Sequence, residues 1–406
     1  MFRLKSGFRE KSPDETLAIV KTFSVKRGIT RVADITRLDI FDIPVYASIR
    51  PNAALGSLCV NAGKGFSLID AETGAYMEAI EFSYAESGSS KLQSVSLLPS
   101  ELKENCVDEY ILSFCPVMNI EIDLTEFIGA VKAKNIISNR YSYVPAELVF
   151  LPCPENISKS QYFGYNSNGL ASGNTINEAI LHALLELVER DISSFQTVKD
   201  DSQFIDTSTL PDDIAEIVLK VEEKGYFLSI RYVPNIFNLP YFTATMGNKN
   251  ECNPIYINGG YGCHLSSTIA LNRAVTECFQ SRLSFIHGGR DDLEDQYRKF
   301  ENRTENEIDL YSKRLIDFHT IEGNNLTTFN KIIDHSSDIK TIDEALAKVK
   351  SILLEQGFDE ILVVRYTSAR DPVQVVRVIV PGLEFFNEST QRIGNRLANY
   401  AEKIFK

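Results

Sequence analysis

Five glutamates in this chain, Glu78, Glu81, Glu186, Glu189 and Glu277, stand where they could hold a divalent cation. They fall in three stretches built on one template. Ser67 is followed by Ala71, Ala75, Glu78 and Glu81; Thr175 by Ala179, Ala183, Glu186 and Glu189; Ser266 by Ala270, Ala274, Glu277 and Gln280. The offsets are four, eight, eleven and fourteen residues each time, and a glycine lies just upstream at Gly65, Gly173 and Gly262. Glu178 precedes Glu189 by eleven residues and shares nearly its helical bearing. Carboxylates gathered in one place call for hard cations, and magnesium with bound phosphates is the commonest reason. Lys64, Arg190 and Arg273 are basic groups placed to match. The competing reading is a solvated helix face or a surface ion pair. Three matched segments on apolar helices weigh against it. His182 and His264 lie nearby, where a lone histidine is more often a packed or capping residue.

Ser and Thr are strong helix N-caps, so each stretch is expected to open a helix. At about 100° per residue the four template positions share one stripe of small, small, acid, and acid or amide. The alanines let helices approach closely. Residues 179–190 are apolar nearly all round, the mark of an interior helix, where glutamates are costly unless paired or metal-bound. Runs rich in β-formers at 44–49, 110–114, 227–232, 241–245, 360–366 and 373–380 predict strands. A helix is predicted over 342–356, between Thr341 as N-cap and Gly357. Strands mixed with long helices indicate an α/β class. Residues 294–340 are polar and irregular, the expected surface insertion.

The 406 residues are 44% hydrophobic, ample for a large core, and the net charge of −13 without a basic block argues against nucleic acid or anionic membranes as partners. No apolar run approaches the ~18 residues of a membrane span. The polar first fifteen residues do not read as a signal peptide, so a cytoplasmic protein is expected. Seven cysteines (Cys59, Cys106, Cys115, Cys153, Cys252, Cys263 and Cys278) form no CxxC pair and read as scattered reduced thiols, with no zinc site. GxxxxGK[ST], GxGxxG after a strand, GxSxG and HExxH are all absent. From the residues alone, the reading stops at a metal-carboxylate enzyme that handles phosphate.

The same residues resemble a known family. The run from Ser167-Asn168-Gly169 through Thr175 and Glu178 to Glu189-Arg190-Asp191 looks like the central signature of the YcaO proteins. Gly63-Lys64-Gly65 with Glu78 and Glu81, Gly262-Cys263-His264 through Arg273, Glu277 and Gln280 to Ser281-Arg282, and Val376 through Pro381-Gly382 resemble further elements of it. The match runs in order over residues 55 to 385. The resemblance implies an α/β YcaO-type fold of mixed sheets with packed helices, and an ATP site lined by glutamate-bearing helices. It implies residues 1–54 as an N-terminal segment of the same domain, 55–390 as the catalytic domain and 391–406 as a tail.

It further implies ATP-dependent phosphorylation of a peptide backbone amide, with Glu78, Glu81, Glu186, Glu189 and Glu277 around Mg2+. Lys64, Arg190 and Arg273 would bind phosphates; Ser67, Asn174, Glu178 and Gln280 would complete the nucleotide site; Glu189, Arg190 and Glu277 would be catalytic. The substrate would be a peptide or protein, and the partner a TfuA-like or leader-peptide-binding protein; a homodimer is left open. Thioamide formation with a sulfide donor is favoured over azoline-forming cyclodehydration, and both over a non-catalytic subunit that activates a partner. Two departures stand out. Glu81 is followed by Phe82 where the family often has Arg, and no proline follows Pro381-Gly382, unlike the proline-rich tail of azoline-forming members.

Overall fold

The computed structural model describes all residues except 104–106, 160, 252, 291–292, 322–324 and 388–390, and the side chains of 294 and 295. Strands β1 (Phe2–Leu4) and β2 (Gly7–Arg9) form an antiparallel ribbon and lead into α1 (Pro13–Ser24). Strands β3 (Arg31–Asp34), β4 (Val45–Ile49) and β5 (Val60–Lys64) make a three-stranded sheet, followed by α2 (Leu68–Ala85). Next come β6 (Ser94–Leu97), α3 (Pro99–Leu102), α4 (Val107–Leu112), β7 (Ile128–Asn135), β8 (Tyr141–Pro145), β9 (Leu170–Gly173) and α5 (Ile176–Val198). They are followed by β10 (Gln203–Ile205), α6 (Asp212–Glu223), β11 (Tyr226–Tyr232), β12 (Tyr241–Asn248), β13 (Asn258–Cys263) and α7 (Ser267–His287). The chain closes with α8 (Glu294–Arg298), α9 (Glu305–Thr320), β14 (Leu326–Thr327), α10 (Ile342–Glu355), β15 (Leu362–Arg365), β16 (Gln374–Ile379) and α11 (Asn395–Phe405).

A six-stranded sheet has the order β6-β7-β15-β16-β9, with β8 also on β7; a five-stranded sheet runs β13-β12-β11-β10-β14. Helices α5 and α10 pack on one face of the six-stranded sheet through Leu184, Val188, Ile342, Val349, Val376 and Val378. Helix α2 and the segments around β7 and β8 cover the other face. Helices α6 and α7 cover the five-stranded sheet through Ile214, Val221, Leu271, Val275, Phe242 and Ala244. The α/β class is therefore observed.

The three template stretches are three strand–turn–helix units: β5 to α2, β9 to α5, and β13 to α7. In each, the helix folds back over the strand that precedes it. A Cβ added to Gly63 would lie 2.1 Å from Ala71 O and Ala75 N; one on Gly262 would lie 2.1 Å from Ala270 O; one on Gly173 would lie 2.6 Å from Ala179 N. The template's alanines thus serve close contact of helix with strand, not of helix with helix as the sequence suggested. The stripe faces a glycine-bearing strand because only hydrogen fits between the backbones. Thr175 and Ser67 cap their helices by accepting from Glu178 N and Asp70 N. Ser266 makes no such bond; Asp334 Oδ2 takes its place, accepting from Ser267 N at 2.8 Å.

Two expectations change. Residues 110–114 belong to no strand: Tyr110 and Ile111 lie buried in helix α4, whose first turn carries Asp108 and Glu109. A short apolar run cannot separate the two states by pattern, and acids near a helix N-terminus favour the helix. The 294–340 stretch, read as irregular, contains α9 with a Thr304–Glu307 capping box, and β14 extends the five-stranded sheet beside β10. The other predicted strands and the helix from Ile342 are present. Cys106, Cys252 and Thr390 lie outside the described residues. Cys115, Cys153, Cys263 and Cys278 are free thiols. Among the described residues no helix is long and apolar enough to cross a membrane.

Helix α11 docks on the outer side of α5. Arg396 Nη1 meets the buried Asp191 at 2.6 Å, Glu384 N donates to Asp191 at 2.7 Å, and Tyr400 packs edge-on against Phe195. Burial pushes Asp191 up to about 6 against the opposing charge of Arg396.

The close contact is directly testable. Gly262→Ala is expected to lower the unfolding free energy by about 1–3 kcal/mol, the usual range for overpacking. Gly88→Ala, where a Cβ meets nothing within 4 Å, should stay within about 0.5 kcal/mol of wild type. Urea titration followed by circular dichroism measures both.

Candidate active site

Helices α2 and α7, α5 from Glu178 to Arg190, and the N-terminal ribbon with the start of α1 line a cavity of about 570 Å³. All sequence-predicted site residues line it except Ser67: Lys64, Glu78, Glu81, Asn174, Glu178, Glu186, Glu189, Arg190, Arg273, Glu277 and Gln280. Ser67 caps α2 instead, and its hydroxyl donates to Asp70 Oδ2 at 2.7 Å. His182 is on the wall. His264 is not among the lining residues: its Nδ1 accepts from Ser266 N at 3.0 Å and its ring meets Phe8 edge-on, so it is a packed histidine.

Through Glu81, Glu189 and Gln280 each helix reaches a strand of another unit, while Glu78 bonds the strand of its own. Glu78 Oε2 accepts from Ala62 N of β5 at 3.2 Å. Glu81 Oε1 accepts from Ser172 N and Oγ of β9 at 2.8 and 2.5 Å. Glu189 Oε2 accepts from Cys263 N of β13 at 3.0 Å. Gln280 Nε2 donates to Ala62 O at 2.7 Å, and Lys64 Nζ forms an ion pair with Glu277. Glu178 accepts from Glu10 N at 2.9 Å and from Asn174 Nδ2 at 3.3 Å, while Asn174 Oδ1 accepts from Thr16 Oγ1 at 3.1 Å. Glu178 and Asn174 thereby hold the N-terminal segment against the cavity.

The carboxylates share the cavity without forming a tight cluster. Among the described residues no three of His, Cys, Asp and Glu converge closely enough to hold a metal ion by themselves. Each acid is drawn to its own donor, which lessens like-charge repulsion. Burial pushes Glu81 up to about 8; Ser172 opposes the shift, and Glu78 and Glu186 add to it. Burial pushes Glu186 up to about 7, with Arg190 opposing and Glu189 adding. Glu78 is also raised by burial, against the charges of Arg290 and Lys64. Burial works against the Glu277 charge too, but Lys64, Arg190 and Arg273 outweigh it and hold that carboxyl below its ordinary range. Burial and the charges of Arg273, Arg9 and Lys64 hold His182 well below its usual value, as neutral imidazole.

The donor set fits a nucleotide with magnesium. Arg273 Nε and Thr73 Oγ1 are buried on the cavity wall with no hydrogen-bond partner among the described residues, the condition a phosphate oxygen relieves. Acids that hold protons near neutral pH are acids that a divalent cation would ionise.

Several lining residues were missed. Arg9, Lys11 and Thr16 come from the N-terminal segment, and nothing in their spacing marks them. Tyr261 sits between two glycines that pack on a helix, a pattern that could have placed it. Arg290 follows α7 and lies within electrostatic reach of Glu78, so a basic group stands near the first acidic helix although Phe82 follows Glu81.

Carboxylates, guanidinium groups and backbone amides around one polar cavity define the class: a site for a phosphate-bearing ligand with divalent cations. Comparison with known proteins agrees. Residues 62–384 match the YcaO family, described as a cyclodehydratase that binds ATP and Mg2+. An uncharacterised protein from the tfuA 3′ region of Rhizobium leguminosarum bv. trifolii is 30% identical over 93% of this chain and 88% of its own length. The structure of YcaO from Methanopyrus kandleri bound with AMPPCP and Mg2+ superimposes with a TM-score of 0.75 at 21% identity, covering 97% of each chain. A heterocyclase solved with substrate and cofactor matches 99% of this chain with a TM-score of 0.74 at 21% identity; this chain spans 56% of its length. The two structures speak to the fold. The chain belongs to the YcaO family, and its ligands are ATP and Mg2+.

Binding should therefore release protons. Glu81, pushed up by burial to about 8, carries a proton at pH 7, and a divalent cation seated beside it would drive that proton off. Calorimetry of AMPPCP·Mg2+ binding at pH 7, in two buffers of different ionisation enthalpy, should report net proton release. Glu81→Gln should reduce the release, and unchanged release in that variant would contradict the shift.

Proposed function

We propose that this protein activates a backbone amide of a peptide or protein by ATP-dependent phosphorylation of its oxygen, and that the usual product is a thioamide made with a sulfide donor. The observation that carries the reading is the gathering of Glu78, Glu81, Glu186, Glu189 and Glu277 with the unmet donor of Arg273 in one cavity. In this reading residues 1–54 and the region after 55 act as one domain, because Arg9, Lys11 and Thr16 line the same cavity.

An amide oxygen is a poor leaving group. When a sulfur nucleophile adds to the carbonyl carbon, the C=O electron pair moves onto oxygen. That oxygen bonds to the γ-phosphorus as the bond to ADP breaks. The C–O bond then breaks, phosphate departs, and loss of the sulfur proton leaves C=S. Magnesium held by the five glutamates would supply positive charge against the phosphates throughout. Lys64, Arg190 and Arg273 would hold phosphate oxygens. Glu178 and Asn174 would keep the segment bearing Thr16 against the nucleotide. His182, neutral and on the wall, could accept or donate without adding charge.

External sulfide is favoured for two reasons. The C-terminal segment docks on the outer side of α5, and among the described residues none beyond Leu293 lines the cavity. A relative's name places it beside tfuA, which favours a TfuA-like partner. The second reading is azoline formation by an internal Cys, Ser or Thr of the substrate, favoured by the cyclodehydratase description of the family. A purely scaffolding role would leave the set of cavity acids unexplained.

Mass spectrometry of the product separates the two chemistries. The thioamide is heavier by the difference between sulfur and oxygen and forms only with sulfide. A product lighter by one water, formed without sulfide, would replace this reading with the azoline.

Glu189→Gln and Glu277→Gln should each abolish ATP turnover while the protein stays folded. Each removes a carboxylate but keeps a side chain of the same shape; at Glu189 the change relieves repulsion from Glu186, and at Glu277 it gives up the ion pair with Lys64 without opening a cavity. Near-normal phosphate release in either variant, with the circular dichroism spectrum retained, would remove that residue from the machinery.

A further inference from the structure

Tyr261 enters the cavity by strand register. Side chains alternate along β13. Gly260 and Gly262 face α7, where a Cβ would lie 2.2 Å from Cys278 N and 2.1 Å from Ala270 O. Tyr261 therefore projects from the other face, and it lines the cavity. Its ring rests on the core beneath α5.

The strand also sets its neighbours. Two residues on, Cys263 N donates to Glu189; one residue back, a Cβ on Gly260 would lie 2.8 Å from the backbone carbon of Glu277. Tyr261 thus stands between two of the acids assigned to the reaction, within electrostatic reach of Arg190 as well. Most polar groups around it are already engaged: Glu277 with Lys64, and Glu189 with Cys263 N and, at 3.7 Å, Arg190. The Tyr261 hydroxyl makes no hydrogen bond among the described residues.

We propose that Tyr261 is a catalytic residue whose hydroxyl donates a hydrogen bond to the acceptor oxygen during phosphoryl transfer. This rests on the amide-activation reading above. As the nucleophile adds, negative charge grows on that oxygen in a cavity crowded with carboxylates. A phenol keeps its proton at neutral pH and so stabilises the anion without pairing off the acids. It is also held in place, because β13 is pinned by α7 on one face and by Glu189 along its edge. No bond to the Tyr261 proton breaks; the hydroxyl donates before, during and after transfer.

Calorimetry with two probes tests this on the full chain. AMPPCP·Mg2+ reports binding of the nucleotide before transfer. ADP·Mg2+ with orthovanadate presents a five-coordinate centre with an oxygen in the acceptor position. Tyr261→Phe removes one oxygen atom and leaves the ring on the core, so the thermal midpoint and AMPPCP affinity should match wild type. The vanadate complex should weaken by about 10²-fold, the scale of one lost oxyanion donor. Equal weakening for both probes would make the hydroxyl an ordinary nucleotide ligand, and no weakening for either would make it a packing residue; either result overturns the proposal. A wild-type protein that binds neither probe would instead defeat the amide-activation reading itself.

Discussion

A helix can lie directly on a strand only if nothing larger than hydrogen stands between their backbones. Gly63, Gly173, Gly260 and Gly262 meet that condition, with Ala71, Ala75, Ala179, Ala270 and Ala274 above them. The contact fixes both the height and the rotation of α2, α5 and α7. Because the acids stand three and six residues beyond the second alanine, the same rotation keeps Glu78 on its own strand and aims Glu81 and Glu189 past theirs. There they meet N–H groups of β5, β9 and β13. Backbone contact on one side of each helix and carboxylate contact on the other are consequences of a single geometry.

That geometry brings together charges that repel. The structure answers in three ways: N–H donors for Glu78, Glu81 and Glu189, a cation for Glu277, and protonation for Glu81 and Glu186 near neutral pH. None of these fully satisfies a carboxylate, which can accept about four hydrogen bonds. Arg273, on the same wall, has an unmet donor. A magnesium nucleotide supplies both signs at once, which accounts for an acidic wall in a site for an anionic ligand.

The candidate site was legible because its residues repeat at fixed offsets, and repetition survives without knowledge of the fold. The α/β class and most strands followed from period and composition. What escaped depends on distant contacts. The family resemblance puts Ser67 in the nucleotide site, but its hydroxyl is used within its own first turn, as its place at the head of a template stretch suggests. Arg9, Lys11 and Thr16 reach the cavity only because Glu178 and Asn174 dock the N-terminal segment. Residues 110–114 suit a strand or a helix equally, and burial of Tyr110 and Ile111 settles the matter for α4. The alanines announced closeness but not to what.

Helix α5 has two masters. Glu189 and Arg190 face the cavity, while the very next residue, Asp191, is buried against Arg396 from the last helix. A copy of the chain cut short before residue 396, by a premature stop or by a protease, would keep every cavity residue named above. It would also keep Asp191 in an apolar setting without its cation, and a buried charge left alone costs far more than the pair contributes. Hydration of that carboxylate would loosen α5 one residue from Arg190. Helix α11 thus braces from behind the same helix that presents Glu189 and Arg190 to the cavity.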